Sequence, residues 1–373
     1  MDTFIPVNQP LLDGNEKKYL LECIETGWIS SEGPYVKSFE EKFSRRVGRK
    51  YGIAVANGSV ALDVAVRALK IPEGSEVIMP DFTIISCAAA IVRAGLIPVL
   101  VDADPLTWNM DTSAIEAKIT SKTRAIMVVH IYSLPTNMKP VLEIAAKYGL
   151  KIIEDAAEMH GQVCDGESCG SFGDISTFSF YPNKHITTGE GGMIVTDDPQ
   201  LAEYCASLRN LCFLPKRRFV HEELGFNYRF TNLQAALGLA QLERLDDFVT
   251  RKREMGRYYR NQLSSLYELI LTPATTPYAE NIYWVFGMVL SDEVPFDAEE
   301  IMARLARLNI GTRPFFWGMH EQPVFNKMGW YLDQPYPVSA RIARRGFYIP
   351  SGLGVTREQQ EQVVYAVKKA LAG

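Results

Sequence analysis

Lys184 lies in the segment TFSFYPNKHITTGEGGM, a few residues past Ser179 and ahead of two glycine-rich steps. A lysine in such a loop is commonly a solvated surface charge. Buried, with its ammonium destabilised, it becomes a base and a nucleophile toward carbonyls. Three other segments bear on which of these it is. In ANGSVALDVAV an apolar run ends at Asn57 and a helix begins near Gly58 and Ser59. Backbone N–H groups there, with a hydroxyl, can hold a phosphate, and the glycine lets the anion come close; an ordinary N-cap accounts for the same residues. In LKIIEDAAEMHG, Glu154 and Asp155 end a run that reads as a buried strand. A carboxylate at that point can keep a pyridine nitrogen protonated, or simply meet solvent. In GFNYRFTNLQAALGLAQLE, Asn227 and Arg229 precede a helix with a small-residue face, which capping and packing alone would explain. Together, with Ser179 as a second phosphate hydroxyl, these segments supply what pyridoxal 5′-phosphate requires of a protein.

The elements that must position these groups follow from the order of apolar runs. YGIAVAN, EVIMP, IPVLVDAD, RAIMVVHIY, LKIIEDAA, DISTFSF and GMIVTDD read as strands. GSVALDVAVRALK, SCAAAIVRAG, TSAIEAKI and MKPVLEIAAKYG, lying between them, read as helices. Repeated strand–helix–strand order predicts an α/β fold with a mainly parallel, seven-stranded sheet covered on both faces. Ligands of such sheets bind beyond the carboxyl ends of the strands, where the polar residues named above fall. After about residue 240 the pattern changes. RLDDFVTRKREMGRYYRNQLSSL predicts a long helix, followed by the strand-like YWVFGMVL, the helical DAEEIMARLARL, the strand-like GTRPFFW and a last helix from Thr356. Thr356 and Gln359 have the spacing of a capping box. This predicts a smaller C-terminal α+β domain, with residues 1–245 as the large domain and 246–373 as the small one.

Composition narrows the function classes. The 373 residues are 47% hydrophobic and 22% charged, ordinary globular usage that can fill a large core. A net charge of −5 with no long basic run argues against nucleic acid or an anionic membrane as partner. No segment approaches the roughly 20 apolar residues needed to span a bilayer. The first residues lack the pattern of a signal peptide. Six cysteines without metal-ligand spacing read as reduced thiols, so a cytoplasmic protein without a metal site is expected. Cys164 and Cys169, in CDGESCG, read as incidental neighbours in a turn.

The ordered motifs GWISSEGPYVKSFEEKF, NGS, VHIY, IEDAAE, TFSFYPNK, TTGEGGM, GFNYRFTNLQAALGLAQLE and RPFF run from about Ile5 to the C-terminus. In this the chain resembles the sugar aminotransferases of the DegT/DnrJ/EryC1/StrS type, which are fold-type I pyridoxal-phosphate enzymes. The resemblance implies that Lys184 holds the cofactor covalently and then carries the proton, while Asp155 holds the pyridine nitrogen. It implies that Gly58, Ser59 and Ser179 bind the phosphate, with Asn227 reaching it from the other subunit of a homodimer with shared active sites. Glu158 would lie beside the cofactor's phenolic oxygen and the sugar. Arg229, Arg313 and His320 fall in segments that approach a sugar nucleotide, and His185 would be a helper beside Lys184. Ile84 stands where the family usually has a stacking aromatic, and Ser133 where it commonly has glycine.

The implied reaction uses L-glutamate to aminate a nucleotide-linked 4-keto-6-deoxyhexose. Resemblance is greatest toward members that turn GDP-4-keto-6-deoxymannose into GDP-perosamine. The same chemistry on a dTDP- or UDP-linked sugar is one alternative. Another is a sugar 3-dehydratase, in which histidine replaces the lysine; NKH places both residues side by side.

Overall fold

A computed structural model describes residues 3–214, 216–217, 219–331 and 333–372. Its first five strands are β1 (Tyr51–Val55), β2 (Glu76–Pro80), β3 (Ile97–Val101), β4 (Thr123–Val129) and β5 (Lys151–Asp155). A short hairpin follows, β6 (Val163–Cys164) and β7 (Glu167–Ser168), and then β8 (Ile175–Ser179) and β9 (Gly192–Thr196). All but the hairpin join one seven-stranded sheet in the order β1-β9-β8-β5-β4-β2-β3. Each of the seven apolar runs is a strand of it. The sheet is parallel except at β9, which runs antiparallel to both β1 and β8. That insertion needs Gly192, because a Cβ there would lie 2.4 Å from the Asn57 carbonyl oxygen.

Seven helices belong to this part of the chain: α1 (Glu16–Thr26), α2 (Pro34–Arg46), α3 (Gly58–Ala68), α4 (Ile85–Arg93), α5 (Met138–Tyr148), α6 (Pro199–Arg209) and α7 (Asn232–Leu242). Two apolar clusters lie on opposite faces of the sheet. β-strand alternation divides neighbours such as Ile153 and Ile152 between them. One expected helix is absent: TSAIEAKI forms two 3₁₀ turns, Thr112–Ala114 and Glu116–Lys118. Asp111 caps the first turn by accepting from Ser113 N–H, and only Ile115 of its apolar residues is buried, so there is little packing to extend it.

The long helix is α8 (Leu245–Gln262). Its Leu245, Phe248 and Val249 pack on the large sheet, while Met255 and Tyr259 pack in a third cluster. That cluster surrounds a four-stranded sheet of β10 (Ile270–Leu271), β11 (Phe286–Leu290), β12 (Arg313–Pro314) and β13 (Gly346–Ile349), in the order β10-β11-β13-β12. YWVFGMVL and GTRPFFW thus contribute shorter strands than their composition suggests. Tyr283, Trp284 and Val285 lie outside β11, and only Arg313 and Pro314 pair in β12. Helices α9 (Ala298–Arg307), α10 (Pro323–Lys327), α11 (Pro337–Arg345) and α12 (Arg357–Leu371) complete the region. Thr356 and Gln359 form the expected capping box at the start of α12.

The first residues join this second body. Ile5 exchanges backbone hydrogen bonds with Asn309 and Gly311, at 2.9 and 2.8 Å, and is fully buried in the third cluster. Val7 and Gln9 accept from Ser351 and Gly354. The six cysteines are free and buried; Cys164 ends β6 of the small hairpin and Cys169 directly follows β7. No helix among the described residues is long and apolar enough to cross a membrane.

Candidate active site

A cavity of about 730 Å³ opens where the carboxyl ends of β1, β4, β5 and β8 meet the loops before α3 and α4. Gly58, Ser59, Ile84, Asp155, Glu158, Ser179 and Lys184 all line it. The site is assembled by strand ends rather than by sequence proximity.

At one end of the cavity, Asn57 caps α3 by accepting from Val60 N–H at 3.0 Å, which leaves the earlier N–H groups of the helix free. Gly58 lies so close to β8 that a Cβ on it would come within 2.7 Å of the Ser179 Cβ. Ser59 and Ser86 share a hydrogen bond of 2.8 Å at the mouth. Unpaired helical N–H groups beside hydroxyls from two further elements make a cup for a phosphate.

At the floor, β5 decides which carboxylate faces the cavity. Successive side chains on a strand point to opposite faces. Glu154 therefore turns away, pairs with His130 at 3.1 Å and accepts from Gly170, Phe172 and Ser176. Asp155 turns inward. It is 2% exposed and accepts from Ala157 N–H at 3.0 Å and from the Cys87 thiol at 3.2 Å. Burial raises its carboxyl above the ordinary range, against the Ala157 and Cys87 bonds and the Lys184 charge. Such a carboxylate is stabilised by any cationic ring nitrogen brought to it.

Lys184 enters from the loop after β8, its side chain 9% exposed. Its Nζ lies 3.9 Å from Glu158 Oε1 and 3.7 Å from the centroid of the Trp284 ring. Burial lowers its pKa, and the Glu158 and Asp155 charges only partly restore it. Glu158 is pushed up to about 8 by burial, with Lys184 pulling the other way. Both groups lean toward their neutral forms, which suits a lysine that must attack a carbonyl and a carboxyl that can donate to an oxygen.

Two buried polar atoms on the cavity wall, Thr177 Oγ1 and Asn183 Oδ1, have no protein partner. Together with the glycine-bounded cup, the buried acidic floor and the buried amine, they fit pyridoxal phosphate. Ile84 is 44% exposed at the rim, able to cover a ring by apolar contact but without aromatic stacking.

None of the remaining expected residues lines this cavity. His185 is fully buried behind it, bonded through Nε2 to the Ile282 carbonyl at 2.9 Å, and does not line the site. His320 is taken up by Asp81, through Nδ1 at 2.7 Å. Arg313 is exposed, paired in register with Tyr348 on the cavity wall. Asn227 is exposed and bridges Asn210, while Arg229 donates to Asn210 Oδ1 at 2.9 Å. Arg229 lines a second cavity of about 650 Å³ with Ser31, Glu32 and Arg209. Sequence reasoning missed Trp284, Thr177, Asn183 and Cys87. Thr177 and Asn183 fall within the motif segment TFSFYPNK and Cys87 in an expected helix, but no local pattern marks any of the four.

The fold and a cavity that fits pyridoxal phosphate define a class, that of the fold-type I pyridoxal-phosphate transaminases. Similarity to known proteins narrows it, since the sequence profile of the DegT/DnrJ/EryC1/StrS aminotransferase family matches residues 10–368. The chain belongs to that family and depends on pyridoxal phosphate. It is 42% identical, over 95% of each chain, to the GDP-perosamine synthase of Escherichia coli O157:H7. It is 34% identical to the putative pyridoxal phosphate-dependent aminotransferase EpsN of Bacillus subtilis, over 96% of this chain and 94% of that one. Among solved structures, S. venezuelae DesV superposes with a TM-score of 0.90 at 29% identity, covering 98% of both chains.

Proposed function

We propose that the protein transfers an amino group from L-glutamate to C4 of GDP-4-keto-6-deoxymannose, giving GDP-perosamine. The single observation that carries the transaminase chemistry is the position of Lys184, buried in the cavity and within 3.9 Å of Glu158, while its neighbour His185 is enclosed outside it. The dehydratase alternative requires the reverse arrangement. The choice of sugar and nucleotide rests on full-length likeness to a GDP-perosamine synthase.

Pyridoxal phosphate, when bound, supplies the electron sink that makes the amino-bearing carbon acidic. The rest is the work of the chain. Gly58, Ser59 and Ser179 would hold the phosphate, and Asp155 would face the ring nitrogen and keep it protonated. Lys184 would hold the cofactor and, as a free amine, would take the proton from the donor's α-carbon and later deliver one to C4 of the sugar. Glu158, protonated in this environment, would donate to an oxygen of the cofactor or the sugar. A panel of GDP-, dTDP- and UDP-linked 4-keto-6-deoxy sugars, each with L-glutamate and mass detection, tests this. The expected result is a 4-amino product from the GDP-linked mannose-derived sugar at the highest kcat/KM. A loss of water at C3 instead would sink the transaminase reading, and preference for another nucleotide would sink the substrate.

The same reading makes the working unit a cytoplasmic homodimer with shared sites. Its support is that Asn227 is exposed and does not itself line the cavity of its own chain. Lys184→Ala and Asn227→Asp chains, mixed and allowed to exchange subunits, should recover about a quarter of wild-type activity. In a mixed dimer one site carries both defects and the other neither, and half the dimers are mixed. Recovery no greater than the sum of the two parents would place each site within one chain.

A further inference from the structure

We infer that Ser133 is a positioning residue: its hydroxyl braces Trp284 so that the indole lies against the Lys184 amine. Residues 131–134 form a tight turn in which Ile131 and Leu134 bridge, and both central residues have positive φ, 51° at Tyr132 and 68° at Ser133. Such a turn prefers asparagine and glycine, and each bulkier residue there is strained. Both side chains are nonetheless fully buried and fully used. Tyr132 N–H donates to the Glu158 carboxylate, and the Tyr132 hydroxyl accepts from Phe316 N–H at 3.1 Å. The Ser133 hydroxyl donates to the Glu158 carbonyl at 3.3 Å and accepts from Trp284 N–H at 2.5 Å.

Every hydrogen-bonding group of Trp284 is thereby tied down. Its carbonyl accepts from the buried Lys252 amine at 2.9 Å, and its indole N–H donates to the Asn183 carbonyl at 2.8 Å. The ring is 4% exposed and sits 3.7 Å from Lys184 Nζ. A glycine at 133 would ease the turn but leave the Trp284 N–H without an acceptor. The strain thus secures one link, between the loop that carries Glu158 and the segment that covers Lys184. An aromatic face favours an ammonium over an amine. Trp284 therefore helps Lys184 take up the proton it is proposed to carry, and Ser133 keeps the ring in place to do so.

The inference rests on Lys184 as the base proposed above, so the test separates the two. Ser133→Ala and Ser133→Gly, with Trp284→Leu as reference, are titrated as full-length, cofactor-free proteins. Labelling of Lys184 by an amine reagent is followed by peptide mass mapping, and the pH midpoint is read rather than the plateau. Glu158 and Asp155 face Lys184 from β5 and the loop after it, and His160 and His185 lie behind it. All four are retained in every variant. The midpoint is expected to fall by about half a pH unit in all three proteins. Ser133→Gly should melt above Ser133→Ala, because only the glycine relieves the positive φ. In the holoenzymes kcat should fall about two- to threefold with KM for the sugar nucleotide unchanged. A midpoint that stays put in both Ser133 variants, or moves in the alanine and not in the glycine, overturns the inference and leaves Ser133 a stability residue. Wild-type holoenzyme in which borohydride fails to fix the cofactor on Lys184 would instead overturn the assignment of the lysine, and this inference with it.

Discussion

Lys184→Ala is expected to abolish transamination, with turnover at least about a thousandfold below wild type, because one substitution removes both the covalent anchor and the proton carrier. Borohydride should fix the cofactor to Lys184 in the wild type and leave the variant unmodified, and the variant should release pyridoxal phosphate on dialysis. His185→Ala is the comparison that gives the result meaning. Its ring is enclosed beside His160 and held by the Ile282 carbonyl, so its loss should lower the melting temperature more than the turnover. Burial depresses the His185 pKa to about 3, so the ring is neutral throughout the working range and an unsuitable acid. Retention of turnover by Lys184→Ala together with its loss in His185→Ala would reverse the assignment and make the protein a dehydratase.

Asp155→Asn is expected to slow both half-reactions about ten- to a thousandfold while leaving the cofactor attached. An opposite charge at contact distance moves a pKa by roughly 1–3 units, and the substitution removes that charge from the ring nitrogen without changing the shape of the floor. Asparagine's one oxygen can still accept from Ala157 N–H, which holds the strand end, while its NH2 takes the place of the oxygen that accepts from the Cys87 thiol and can only donate there. Single-turnover measurements of each half-reaction distinguish the outcomes. Loss confined to the sugar half would place Asp155 against the substrate rather than at the ring nitrogen. An unchanged rate would mean that the ring nitrogen is held by another group.

The seven strands of the large sheet are legible because each carries a mostly buried segment rich in apolar residues, set between turn or helix signals. Their lateral order is not legible, since pairing joins segments far apart in the chain and leaves no periodic trace. The insertion of β9 between β1 and β8 turns on the missing Cβ of Gly192, which looks like any other glycine in TTGEGGM. The phosphate cup and Lys184 are readable from residue type and order. Glu154 and Asp155 are not separable by type, because strand alternation guarantees only that one of them faces inward. The outer contacts are less legible still. His320 meets Asp81 across 239 residues, and Trp284 reaches Lys184 across 100, from a run whose pattern says only strand. Ser133 reads as a departure from the family pattern until its turn is seen to carry a hydrogen bond that glycine cannot supply.

The pairing of Ile5 with Asn309 and Gly311 sets a timetable for synthesis. Ile5 leaves the ribosome some 300 residues ahead of its partners. At about 5–20 residues per second, that is a wait of about 15–60 s. Through that interval the large sheet can assemble, whereas the smaller sheet lacks its later strands β12 and β13. Folding of the C-terminal body therefore waits for its later strands, and a chain cut short before residue 309 leaves Ile5 without the partners it pairs with here.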